Sequence, residues 1–277
     1  MEKISIELSD EYLVSNSGLL TIGKFLNDIK IFAKVNRVSR IKKNVGIISD
    51  FDIIKSIIAL ICIGKPNYDC IEEFRNNKFF KKALNIKTVP SSPTLRQRIE
   101  SFDAITWEVF REINAEILRL NFQNETKKIG NVDYIFIDSD VTPMDNSKTK
   151  KEGVELTYKK FFGFAPMMSY IGMSGFMLNN ELRNGSEHSN CPGTIEYFTR
   201  TIELAHMISD LQIFAILDSG NDDSKLVKHF IDNKVDFIIK RNLRSENRRQ
   251  YIDRCKASAE KVESPYKGYT KYYSRGV

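Results

Sequence analysis

Two apolar runs end in carboxylates: Tyr134-Ile135-Phe136-Ile137-Asp138-Ser139-Asp140 and Ile213-Phe214-Ala215-Ile216-Leu217-Asp218. Short runs of β-prone residues bounded by polar ones fold as buried strands. Acids are depleted inside such strands, so carboxylates at their tips constrain both fold and use. A strand end is a rigid platform at the rim of a sheet, where paired acids can hold Mg²⁺ against a phosphate. Asp138 and Asp140 alternate across Ser139 and therefore project to one face. Plainer roles stay open: Asp218-Ser219-Gly220-Asn221 also reads as a cap for a helix beginning near Asp222, and Asp133 as a solvated strand entrance.

The segments around these runs extend the pattern. Val132 to Asp140 reads as a strand, and Ala165 to Ile171 with Gly175 to Arg183 as a hairpin turning near Gly172 to Gly175. Thr194 to Ser209 fits a helix that buries Ile195, Phe198, Ile202, Leu204 and Ala205. Leu211 to Leu217 is a buried strand, Asp222 to Asp232 a helix and Val235 to Lys240 another strand. The order β-β-β-α-β-α-β predicts an α/β, RNase H-like core with a mixed sheet. In that topology the first and fourth strands are neighbours, so Asp218 approaches Asp138 and Asp140 closely enough to share metal ions about 3.5 to 4 Å apart.

The first 125 or so residues read instead as an all-helical domain. Ile105, Val109, Ile113 and Ile117 recur at a spacing of four, with Phe110 and Leu118 broadening the stripe. Pro90-Ser91-Ser92-Pro93-Thr94-Leu95 opens a short helix, with a serine N-cap, proline as first helical residue, and Arg96 and Arg98 exposed. Earlier helices are expected at about 18–34, 50–64 and 67–84. Such helices suit a DNA-binding domain and a packing-only bundle equally well. The polar stretch Asn121 to Gly130 separates the domains, 1–125 and 130–277.

Charge is unevenly placed. Lys240 to Val277 carries a net +7 of the chain's +6, interleaved with Tyr251, Tyr266, Tyr269, Tyr272 and Tyr273. Phosphate contacts with base stacking would use that composition, and so would a solvated basic edge. No apolar run is long enough for a membrane span, and no secretory leader follows Met1 to Ser5. Cys62, Cys70, Cys191 and Cys255 are scattered without metal spacing, as expected of reduced thiols in a cytoplasmic protein. His188, His206 and His229 show no ligand spacing either.

Two families share parts of this pattern. Asp138-Ser139-Asp140-Val141-Thr142 satisfies D-x-D-x-T, and Asp218-Ser219-Gly220-Asn221-Asp222 resembles the late acidic motif of haloacid-dehalogenase phosphatases, in which Asp138 would be the nucleophile and Mg²⁺ the cofactor. A long helical region before the first strand and a β-hairpin after it argue against that fold. The chain resembles DDE transposases of bacterial insertion sequences, most closely their thirteen-eighty family. Resemblance runs through Pro90 to Leu95, Asp138 to Gly153, Gly163-Phe164-Ala165-Pro166, Glu181 to His188, Asp218 to Asp222 and Val235 to Asn242, in order and spacing over roughly residues 85 to 245.

The resemblance implies a nuclease core that, with Mg²⁺ or Mn²⁺, nicks double-stranded DNA at element ends and joins the freed 3′ hydroxyl to target DNA, as a homodimer on DNA. It implies catalytic, metal-binding roles for Asp138 or Asp140 and for Asp218. Lys148, Lys150, Lys151, Arg183, Lys240, Arg241 and Arg244 would line the DNA path as phosphate contacts. Related transposases place a third acid in a Y-x₂-R-x₃-E-x₆-K helix. Tyr251 and Arg254 begin that pattern here, but position 258 is Ser and the nearest Glu is Glu260. Lys267 to Arg275 looks like strand material entering a β-rich insertion. The expectation is a chain truncated before its third acid, weakly active or inactive, or else a non-catalytic DNA-binding remnant.

Overall fold

The computed structural model describes residues 16–28, 48–65, 67–122, 125–258, 260–263 and 270–273. Two compact units divide the chain, Met1–Asn121 and Phe122–Val277.

Every described element of the first unit is helical: α1 (Leu19–Asp28), α2 (Asp50–Cys62), a 3-10 helix (Tyr68–Phe74), α3 (Lys78–Leu84), α4 (Ser92–Glu100) and α5 (Ala104–Asn121). Side-chain caps start several of them. Ser49, Asn77 and Ser91 accept hydrogen bonds from the backbone N–H groups of Asp52, Phe80 and Thr94, satisfying donors that a helix leaves orphaned. Ile53, Leu60, Ile71, Phe80, Leu84 and Leu95 form one buried cluster, and Leu26, Ile54, Phe102, Val109 and Ile113 a second.

Several helical expectations shift. The helix expected over 67–84 breaks in two because Asn77 caps a new start at Lys78. Ser91, not Ser92, caps α4, so Pro93 takes its second position. Arg98 is no free cation: its guanidinium pairs with the buried Asp50 at the start of α2. Ile105 is 44% exposed, so the buried face of α5 begins at Thr106 and continues through Val109 and Ile113. Beyond Asp28, the helix expected to residue 34 lies outside the described residues.

The second unit is mixed α/β. Its main sheet has the order β7-β6-β2-β8-β9, with β2 (Val132–Val141) central. β6 (Met167–Ile171) and β7 (Phe176–Glu181) form an antiparallel hairpin whose turn uses positive φ at Gly172 and Gly175. β8 (Gln212–Leu217) runs parallel to β2, and β9 (Asp236–Ile239) parallel to β8. Crossovers α6 (Thr194–Ile208) and α7 (Ser224–Asp232) return the chain to the sheet. Phe198 of α6 and Phe230 of α7 meet edge to face at 5.3 Å, and both are buried.

Three features depart from the expected order. β1 (Thr126–Ile129) lies within the supposed linker and pairs with the start of β2, across a turn in which Gly130 takes φ +60°. A second small sheet, of order β3-β5-β4, forms from β3 (Met144–Asp145), β4 (Glu155–Leu156) and β5 (Phe162–Phe164). Finally, α8 (Arg248–Ser258) leads to the antiparallel pair β10 (Glu260–Glu263) and β11 (Thr270–Tyr273). The remainder of the strand expected over Lys267 to Arg275 lies outside the described residues, as do Met1 to Ser5 and Tyr266. No described helix is long and apolar enough to cross a membrane.

Candidate functional site

Alternation along β2 sets the site. Ile135, Ile137, Ser139 and Val141 point into the core, leaving Asp138 and Asp140 on the open face. Beneath them Ser139 Oγ bonds Ser169 Oγ at 2.6 Å, and the Tyr197 hydroxyl donates to Ser169 at 2.8 Å. This buried polar chain satisfies hydroxyls that would otherwise be costly and locks the register of β2 under its acids. Burial raises the Tyr197 hydroxyl far above its ordinary pKa, so it remains a donor.

Register pairs Ser139 with Leu217, so the next residues, Asp140 and Asp218, follow on neighbouring parallel strands. Both line one cleft of about 410 Å³, together with Tyr158, His188, Ser189 and Asn242. Asp138 shares the open face but is not among the residues lining that cleft. Partial burial, then the Asp140 carboxylate, push the Asp138 pKa above its ordinary value. Partial burial and Asp218 do the same to Asp140, opposed by a bond from the Val141 N–H and by the charge of Lys159.

The helix expected near Asp222 starts at Ser224 and is capped by Asp223, whereas a shorter turn is capped by Asp218. Its Oδ1 accepts from the Gly220 N–H at 2.9 Å and from Asn221 Nδ2 at 3.0 Å, heading a 3-10 turn (Ser219–Asn221). Asn221 is fully buried, so the carboxylate is held by an anchored amide. Capping and a site role coexist, because Oδ2 takes no part in either bond. Among the described residues, no three His, Cys, Asp or Glu side chains are assembled around a metal position.

The expected basic residues separate into two groups. Lys148, Lys150 and Lys151 are exposed on the loop from β3 to β4. Lys240 is exposed, with its N–H bonded to the Leu217 carbonyl one residue before Asp218. Arg241 instead bridges Asp222 at 3.2 Å and Glu246 at 2.6 Å, and Arg244 donates to the Asp222 carbonyl at 2.8 Å. These two arginines pin the turn after β9 to Asp222. Arg183 is not exposed as a phosphate contact would be: it is 3% exposed, paired with Glu181 at 2.6 Å and bonded to Thr194 at 3.2 Å.

Sequence reasoning missed Tyr158, Lys159, Asn221 and Asn242 and found no ligand spacing at His188. His188 is exposed but lines the cleft, with Nδ1 accepting from the Asn190 N–H at 3.3 Å. Three of these residues, His188, Asn221 and Asn242, lie within segments that carried the family resemblance, which was their only signal. Tyr158 and Lys159 sit in the turn from β4 to β5, and Tyr158 is brought to the cleft by a sheet with no long apolar run to announce it.

A family model described as Transposase DDE domain group 1 matches residues 1–274. The chain belongs to that family. Among solved structures, a piggyBac transposase synaptic complex with hairpin DNA is similar at 12% identity and TM-score 0.34, over 89% of this chain and 55% of that one. This chain thus spans about half the length of that transposase. A Mos1 strand transfer complex is similar at 11% identity and TM-score 0.27, over 82% of this chain and 78% of that one. The Mos1 mariner paired end complex with Mn gives 10% identity and TM-score 0.26, over 88% and 85%. No curated protein matches. Family membership does not favour the phosphatase reading of Asp138.

Proposed function

We propose that the chain is an insertion-sequence transposase of the thirteen-eighty type, whose RNase H-like unit transfers phosphoryl groups on double-stranded DNA. One observation carries this reading: Asp140, on β2, and Asp218, just past the end of its parallel neighbour β8, share a cleft. Asp140 is then the first catalytic acid and Asp218 the second, with Asp138 a neighbouring charge that raises the field at the site.

The donor set fits Mg²⁺ or Mn²⁺. Carboxylate oxygens are the hard ligands these ions prefer, and Asp140, raised above its ordinary pKa by burial and then by the Asp218 carboxylate, gains from a cation. Bound at Asp140 and Asp218, such an ion would polarise the phosphate and lower the pKa of the attacking water or 3′ hydroxyl. The chain's own residues orient and neutralise. Asn221 fixes the Asp218 carboxylate, while Lys148, Lys150, Lys151 and Lys240 supply phosphate contacts on exposed loops.

A third carboxylate is not supplied by α8 in the Y-x₂-R-x₃-E-x₆-K manner. Ser258 stands at its position as the last helical residue, and Glu260 opens β10. The chain alone is therefore expected to nick and join DNA weakly, and the full-length form to act as a homodimer on its DNA in the cytoplasm. Incubation with labelled duplex carrying the element's terminal repeats in Mg²⁺ tests this. Low but measurable nicking, lost in Asp140→Asn and Asp218→Asn and retained in Asp138→Asn, is the expected result. Salt-sensitive binding with no nicking would leave only a DNA-binding remnant, and neither activity would end the reading.

A further inference from the structure

We propose that the small sheet β3-β5-β4 is a nucleotide-holding finger of the cleft, in which Tyr158 packs on the base or sugar beside the scissile phosphate and Lys159 contacts that phosphate. This rests on the cleft being a DNA phosphoryl-transfer site.

Geometry of the turn comes first. The Thr157 N–H and hydroxyl both bond to the Phe161 carbonyl at 2.9 Å, the Lys160 N–H returns to Thr157 at 2.9 Å, and Lys160 adopts φ +67°. Thr157 is 2% exposed, so the turn has a buried anchor. Its tip presents Tyr158, 57% exposed, on the wall of the cleft that Asp140 and Asp218 line. A rigidly mounted aromatic ring open to solvent at an acidic cleft keeps a surface to stack, with the Lys159 ammonium as a described neighbour over the ring.

Charge gives the occupant. A pair of carboxylates repels a DNA phosphate, so a cation must stand near them on the substrate side. Lys159 follows Tyr158 in the same turn, and its Nζ lies 5.8 Å from the Tyr158 ring centroid. Aromatic rings interleaved with lysines are how proteins hold single-stranded nucleic acid without reading sequence. The sheet is also firmly mounted. A Cβ at Gly163 would fall 2.0 Å from the Met144 carbonyl oxygen, and one at Gly185 2.2 Å from the Gly163 oxygen, so backbone packs directly on its inner side. Leu156 and Phe162, register partners, stay 49% and 53% exposed on the other face.

A short single strand carrying 2-aminopurine, bound to the full chain in Ca²⁺, tests the stacking. Wild type is expected to quench the fluorescence. Tyr158→Ala should abolish the quench and weaken binding about 5- to 150-fold, the range measured for one base–aromatic stack, whereas Tyr158→Phe keeps both. Lys159→Ala should reduce the slope of log affinity against log salt by about 0.7. An unchanged quench in Tyr158→Ala would overturn the finger, as would a change of oligomeric state with fluorescence unaltered, which would mark a protein contact. Asp140→Asn separates the two readings: it should keep the quench and lose nicking, and wild-type nicking by that variant would overturn the catalytic reading alone.

Discussion

Asp140 and Asp218 each follow directly on the register pair Ser139–Leu217, so two acids far apart in sequence emerge side by side from parallel strands into one cleft. Their proximity is set by backbone pairing, which makes it rigid, and the Val141 N–H and the charge of Lys159 offset only part of the burial and repulsion that raise Asp140. A divalent cation is the natural relief, and its binding is expected to stabilise the fold. At 100 times its dissociation constant a ligand adds about 2.7 kcal/mol. Mg²⁺ or Mn²⁺ should therefore raise the melting temperature of the wild type and leave that of Asp140→Ala unmoved, as read by calorimetry.

The same repulsion gives a pH dependence with a definite sign. Asp138 and Asp140 are both held above the ordinary value of 3.8, first by burial and then by neighbouring carboxylates. The folded chain then binds these protons more tightly than the unfolded one, so stability falls as pH rises from about 3.8 through the folded-state values. The penalty persists at neutral pH. Asp140→Asn should raise the melting temperature near pH 7, by no more than about 2–4 °C given solvent screening, and the gain should vanish below the ordinary carboxylate pKa.

Asn221 should matter to catalysis although it is fully buried and touches the site only through Asp218. Asn221→Ala removes the amide that fixes Oδ1. Loss of such a supporting bond costs about 10–100-fold in metal affinity or activity. A Mg²⁺ titration of nicking should show the higher metal requirement, and an unchanged titration with lower stability would make Asn221 structural only.

Arg183 separates a core cation from a DNA contact. Arg183→Met strips the partner from Glu181 and the donor from Thr194. Hydrogen bonds to charged groups are worth about 1.5–3 kcal/mol, so urea unfolding should show a loss of that order. Salt dependence of DNA binding should be unchanged, whereas a shallower slope would return Arg183 to the DNA path.

The apolar strands, their acidic ends and the crossover helices were legible because alternation and length are local properties. Val132–Val141 and Gln212–Leu217 fall where the pattern put them, and the burial of Phe198, Ile202 and Ala205 follows from helical spacing. Local signals also failed in explicable ways. Thr126–Ile129 looked like linker because its residues are polar, yet an edge strand needs only backbone pairing and a Gly130 turn. Arg98 and Arg183 looked like exposed cations because their carboxylate partners, Asp50 and Glu181, do not mark themselves in the sequence.

What the sequence alone determined was the identity and strand placement of the acids, because side-chain period along a strand is fixed by the backbone. It left Asp138 and Asp140 equivalent, since both project from one face of β2. Only tertiary structure separates them. The parallel register with β8 and the turn carrying Tyr158 close a cleft around Asp140 and Asp218, and those are long-range pairings that no local pattern encodes.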